Sequence, residues 1–324
     1  MFAFVNRRPG AAVTVGALAL AVAAIHLVCR VQAGPTAAAP LSASVDLQGA
    51  FADRGLNTRV QGKRGTCSAF VLIGAIEYAV ADTLGHAPPL SVEFLNWAAN
   101  RATRDAEDGG FFSDLWRGFT AFGVCPEADM PYQDQFDPAA QPSPRAIEQA
   151  RSLQTLGLHM HWIKPWNPHH GLNEQQFLQI KKTLACRHPV CGGFLWPKEQ
   201  QWVDGVLQMC PRDRVRDGHS VLLVGYRDDP AQPGGGVFLI RNTAGDSREG
   251  LLTYEYVQAY MNDAVWVAAA SAAGTLPFHD ALSALVGPPV GRNRRVSSNE
   301  QPQWHDANLD MTWLQPGQVL EVPL

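Results

Sequence analysis

The chain has 324 residues, 46% of them apolar and 17% charged, with 26 basic against 30 acidic side chains. That length and apolar content suffice for one large or two medium packed domains and exclude a chain disordered by composition. A formal charge of −4 gives no electrostatic footprint for nucleic acid, and the short basic clusters Lys63-Arg64, Lys181-Lys182 and Arg292 to Arg295 read as solvated faces.

In chain order, residues 1–33 read as an export signal: Arg7 and Arg8 precede an apolar run from Ala11 to Val28, and Val31-Gln32-Ala33 offers small residues for cleavage. The run is long for a cleaved signal, so residues 9–29 also fit an uncleaved membrane anchor. Either form places the remainder outside the cytoplasm, periplasmic or secreted. Without residues 1–33 the chain keeps 23 basic and 30 acidic side chains, a formal charge of −7, and five cysteines: Cys67, Cys125, Cys186, Cys191 and Cys210. In an oxidising compartment an odd number leaves at least one thiol unbridged; with Cys67 as that one, the other four allow three disulfide pairings.

Residues 34–45 read as a linker. From Cys67 to about Leu84 the run containing Phe70, Val71, Leu72, Ile73, Ile76, Tyr78 and Val80 is apolar nearly all round, which predicts a helix buried on most sides and stopped by Gly85. Ser91 caps a second helix through Asn100, Ser113 begins a third that ends at Gly123, and Asn173 with Gln176 forms a capping box for a helix to about Cys186. Beyond Pro189 the pattern changes to short apolar or β-branched runs, Val190 to Trp196, Ser220 to Tyr226, Val237 to Arg241, Leu251 to Tyr256 and Ala264 to Ala270, separated by Gly, Pro and Asp. The expectation is an α+β fold, a mainly helical part at 46–188 and a mainly antiparallel β part at 189–271, with a site where they meet. Residues 272–324 carry no readable pattern.

The stretch Val60-Gln61-Gly62-Lys63-Arg64-Gly65-Thr66-Cys67 delivers a cysteine to the first residue of the buried helix, where unpaired N–H groups and the positive helix end favour thiolate over thiol. A small buried hydrophobe is the bland alternative for a single cysteine. The partners come from a hairpin. Asp217-Gly218-His219-Ser220 opens one strand, Asp228 to Gly236 makes the turn, and Val237 to Asn242 returns. With Tyr226 opposite Val237, His219 falls opposite position 244, and a register slip of two brings Asn242 beside it. An amide oxygen next to an imidazole holds one ring nitrogen and turns the other toward a nucleophile.

With these blocks in place, the chain resembles the papain-like cysteine peptidases over about residues 45–270. The resemblance is carried by Gln61 to Phe70, Leu90-Ser91, Gly109-Gly110, Glu127 to Tyr132, Gly218-His219-Ser220-Val221-Leu222-Leu223-Val224-Gly225-Tyr226 and Ile240-Arg241-Asn242-Thr243. It implies a helical left domain and an antiparallel right domain with the active-site cleft between them. It also implies roles: Cys67 the nucleophile, His219 its base and acid, Asn242 the orienter of the ring, and Gln61 part of the oxyanion hole. Gly109, Gly110 and Gly218 would border the bound substrate, a peptide or protein; no cofactor is implied.

The departures are local. Arg64 stands where the family has a disulfide cysteine, Ser68 where it has tryptophan, and Asn242 to Gly250 lacks both tryptophans of the family's N-S-W-G-x-x-W-G block. The first of those shields the His–Asn contact and the second lines the leaving-group side, so their loss implies a wetter site and a different leaving-group preference. No inhibitory propeptide of usual length precedes the first block, and the tail is one candidate for latency. Amidase or transpeptidase chemistry on the same groups, and a non-catalytic binding module, are the alternatives; four retained site residues argue against the second. His159, His161, His169 and His170 fall within twelve positions, but no cysteine or acid completes a metal-ligand spacing. Trp162, Trp166, Trp196 and Trp202 read as core aromatics rather than a binding surface.

Overall fold

The computed structural model describes residues 40–245 and 249–269. The export or anchor segment, most of the linker, Asp246 to Arg248 and the tail from 272 lie outside the described residues. In chain order the elements are β1 (Ser44–Asp46), α1 (Gln48–Asp53), α2 (Cys67–Leu84), α3 (Val92–Thr103), α4 (Phe112–Phe122), α5 (Pro144–Gln154), β2 (Leu158–Lys164), α6 (Glu174–Ala185), β3 (Val190–Pro197), β4 (Trp202–Val203), β5 (Val206–Leu207), β6 (Val215–Asp228), β7 (Gly236–Arg241), β8 (Glu249–Thr253), α7 (Tyr254–Tyr260) and β9 (Met261–Ala269).

The helices form where their end signals stand. Ser91 Oγ accepts from the Phe94 amide at 2.9 Å, and Asn173 with Gln176 closes the capping box of α6. Gly85 ends α2 in the left-handed region at φ 82°. Helix α2 is long and apolar enough to cross a membrane, but it is the core helix: it packs on β6 and β9 on one side and on α3 and α4 on another. Helices α3 and α4 cross so closely at Gly118 that a Cβ there would lie 2.4 Å from the Ala99 nitrogen. The expected helical part and strand part are both present, as an α+β fold.

The strands join in the order β2-β9-β3-β6-β7-β8-β5-β4, with β1 pairing the far end of β6, and every pairing is antiparallel except β5 with β8. Three details differ from the sequence-based expectations. Ser44 and Val45, read as linker, belong to β1, held by pairing to Arg227 and Tyr226. Strand β2 arises inside the part read as helical, and crosses to pair with β9. The run Leu251 to Tyr256 is a strand only to Thr253, whose hydroxyl then caps α7 by accepting from the Tyr256 amide at 3.1 Å.

The disulfide expectation fails as well: no two of the five described cysteines are bridged. Cys125 and Cys191 are instead packed in the core, where burial pushes the Cys125 thiol up to about 12 and the Cys191 thiol higher still. They behave as small apolar side chains.

Candidate active site

Cys67 is the first residue of α2 and is 4% exposed. No side chain caps this helix: the preceding Thr66 points its hydroxyl to Tyr132 Oη at 2.6 Å. The positive helix end therefore bears on the cysteine uncompensated, which favours the thiolate. The Cys67 sulfur lies 3.8 Å from the carbonyl oxygen of Gly218, the residue before His219.

A β-bulge explains how β6 brings His219 there. On β3, Phe194 pairs with His219 and Leu195 with Asp217, so Gly218 is an extra residue with no partner of its own. Its φ of 97° is a conformation in which a glycine is unstrained and other residues are not. The bulge turns its carbonyl to the Cys67 sulfur and aims the next side chain. Gly218, expected beside the substrate, also shapes the strand that carries His219.

His219 Nε2 is 2.9 Å from Asn242 Oδ1, and both residues are buried. The expected slip of register is not how this contact arises. Tyr226 pairs with Phe238, a second irregularity between Leu223 and Gly225 restores the original alignment, and the ladder ends at Leu222 opposite Arg241. His219 thus projects toward position 244, and Asn242 reaches it as the diagonal neighbour on the same face, a separation that long polar side chains span. The amide is turned by a second donor, the Ala244 N–H, at 3.2 Å from the same oxygen. An oxygen that only accepts requires the proton on Nε2, which leaves the Nδ1 lone pair for a proton from sulfur.

Gln61 is fixed at both ends of its amide. Thr243 Oγ1 donates to Gln61 Oε1 at 2.8 Å, and Gln61 Nε2 donates to the Arg64 carbonyl at 2.9 Å, so one of its two N–H bonds is unassigned by these contacts. Its backbone is tied to the same hairpin, with Gln61 N–H donating to Thr243 O at 2.9 Å. Upstream, Arg241 holds the approach to this loop through Thr58 Oγ1 and the Leu56 carbonyl. Gln61 and Asn242 thus belong to one stitched unit, although 181 positions separate them.

Gly109 and Gly110 lie behind the cysteine loop. A Cβ on Gly109, whose φ is 92°, would sit 2.2 Å from the Gly65 carbonyl oxygen, and Gly110 O accepts from Ser68 Oγ at 2.6 Å. The glycine requirement at 109 therefore arises from the loop itself. Beside it is a group that sequence reasoning missed. Arg64 is buried between Glu93 of α3, at 2.5 Å, and Asp108, at 2.8 Å, and donates to Gln133 O while lying over the Tyr132 ring at 4.5 Å. Burial works against its charge; the Asp108 and Glu93 carboxylates outweigh that and hold the guanidinium above its ordinary pKa. It clamps the segment between Gln61 and Cys67 to α3. The clustered histidines face elsewhere: His161 stacks on Trp266 at 4.4 Å, and no group of three metal-ligating side chains occurs among the described residues.

No curated protein matches the sequence. Among solved structures, the fold is shared with xylellain, a cysteine protease from Xylella fastidiosa, at 23% identity and a TM-score of 0.55 over 71% of this chain and 87% of that one. It is shared too with digestive procathepsin L 3 of the Tenebrio molitor larval midgut, at 20% identity and a TM-score of 0.50, over 71% of this chain and 70% of that one. The clostridial cysteine protease Cwp84 after propeptide cleavage matches at 18% identity and a TM-score of 0.53, over 70% of this chain and 59% of that one. The sequence model described as papain family cysteine protease matches residues 43–263, and the chain belongs to that family.

Proposed function

We propose that this chain is an exported peptidase that cleaves peptide bonds through a thiolate–imidazolium pair of Cys67 and His219. The observation that carries the reading is the 2.9 Å contact of His219 Nε2 with Asn242 Oδ1, made one residue from the Gly218 carbonyl that meets the Cys67 sulfur. With Nε2 protonated and held by Asn242, Nδ1 takes the thiol proton. The sulfur attacks the scissile carbonyl carbon, and the oxygen that becomes negative is met by Gln61 Nε2–H and the Cys67 N–H, donors placed before the charge develops. His219 Nδ1–H then protonates the departing amine, leaving a thioester, and its freed lone pair activates the water that hydrolyses that ester.

Export rests on the Arg7-Arg8 and apolar pattern of residues 1–33. The test is direct: an electrophilic epoxide alkylates Cys67, and Cys67→Ala abolishes hydrolysis of peptide substrates. Labelling spread over several cysteines, or activity that survives the substitution, would overturn the mechanism.

A further inference from the structure

The loss of the family's tryptophan after Asn242 implied a wet His–Asn contact, but His219 is 5% and Asn242 4% exposed. The side chain that accounts for this comes from another strand. Trp196 of β3 lies with its ring centroid 4.6 Å from that of His219, the planes at 66°. The sheet register places it there. Phe194 pairs with His219, and Trp196 is two residues further along the same face of β3. His219 therefore has Asn242 as its diagonal neighbour on the β7 side and Trp196 as its diagonal neighbour on the β3 side.

Trp196 is itself held on several sides. It is 1% exposed and lies 6.1 Å from the ring of Tyr256, whose hydroxyl donates to the Leu195 carbonyl at 2.7 Å. Trp202 of β4, half-buried, stands beyond it at 6.4 Å and covers Gly250, where a Cβ would lie 2.7 Å from the indole. A rigid indole against an imidazole excludes water from one side of the ring.

We propose that Trp196 is a positioning residue for the His219–Asn242 hydrogen bond, replacing from β3 the cover that the family supplies from the residues following the asparagine. The proposal rests on the peptidase reading for its kinetic consequence, not for its structural one. Trp196 acts through the bond, keeping the Nε2 proton on its acceptor while Nδ1 exchanges a proton with sulfur.

The test uses the full chain with nitrogen-15 histidine. The Nε2–H resonance of His219, assigned by its loss in Asn242→Ala, exchanges slowly with water in the wild type and roughly tenfold faster in Trp196→Leu. Peptide hydrolysis by Trp196→Leu loses about tenfold in kcat, the factor carried by one ordinary buried hydrogen bond, with KM nearly unchanged. Trp196→Phe recovers most of it. In an Asn242→Ala background the same Trp196→Leu change costs little further, because the bond it protects is gone.

Fast exchange in the wild type, unchanged exchange in Trp196→Leu, or costs that simply add in the double variant would overturn the proposal. If Trp196→Leu does not fold, wild-type exchange and the smaller, still coupled loss in Trp196→Phe decide it. A wild type that hydrolyses no peptide while its Nε2–H stays protected refutes the peptidase reading alone.

Discussion

Arg64→Met removes the charge from the centre of the buried cluster and keeps a side chain of similar reach. Glu93, with a side chain 5% exposed, is left as an uncompensated buried carboxylate. Breaking a buried pair in this way costs about 3–5 kcal/mol. Asp108, with 21% of its side chain exposed, adds less because solvent screens it. Loss of the donor to Gln133 O and of the contact over Tyr132 offsets what the new apolar packing returns. A net loss of about 4 kcal/mol lowers Tm by roughly 8–16 °C for a domain of this size. Thermal unfolding followed by circular dichroism measures it, and Arg64→Met/Glu93→Met serves as the control, because removing both partners eliminates the stranded charge and regains most of the stability. A drop below about 3 °C for the single variant, or a double variant no more stable than the single one, would refute the reasoning.

Other consequences are open to measurement. Gln61→Ala lowers kcat by about 10²–10³ with little change in KM, and an unchanged kcat removes Gln61 from the oxyanion site. Thr243→Val, which frees the Gln61 oxygen and lets the amide turn, gives a smaller loss of the same kind; a pure KM effect would argue against an orienting hydroxyl. Gly218→Ala forces a side chain into φ 97°, where space is open but the backbone is strained, at a cost of about 1–2 kcal/mol in denaturant unfolding, and a neutral variant contradicts the bulge geometry. Because burial raises the Cys125 thiol to about 12, only about one molecule in 10⁵ carries that thiolate at pH 7, and Cys191 carries less, so iodoacetamide at neutral pH leaves both unmodified in the folded protein; their alkylation without unfolding would place them elsewhere than the core.

Residues that announce themselves by local grammar were legible in the sequence. Cys67 stands at a helix start, Ser91 and Asn173 cap helices, and the turn between Tyr226 and Val237 brings two strands together, so the α+β division and the His219–Asn242 neighbourhood follow from short-range signals. Residues whose roles depend on long-range register were not. Trp196 read as one core aromatic among several, because its place beside His219 depends on the pairing of Phe194 with His219, which no propensity marks in advance. The partners of Arg64 lie 29 and 44 positions away, on α3 and in the segment after it, so a basic residue beside Lys63 read as a solvated face. Strand β2 fell inside the part read as mainly helical: alternation at His159 and His161 fits a strand face, but the pairing partner β9 comes about a hundred residues later. Cysteine counting failed differently: it assumes that an exported thiol seeks a bridge, whereas Cys125 and Cys191 sit in the apolar core.

The extra residue at Gly218 also divides β6 into two segments of opposite parity. From His219 to Leu223 the odd-numbered positions share the face of Phe194, whereas before the bulge the even-numbered Arg216, opposite Trp196, holds that face. The first segment meets the end of β3 and the second runs between β3 and β7, so each can change its side chains without reversing the other. Deleting Gly218 would make the alternation continuous with neither segment turned over, because His219, Asp217 and Arg216 would then follow one another opposite Phe194, Leu195 and Trp196. The pairing that sets Trp196 beside the histidine would survive; what would be lost is the residue whose carbonyl meets the Cys67 sulfur.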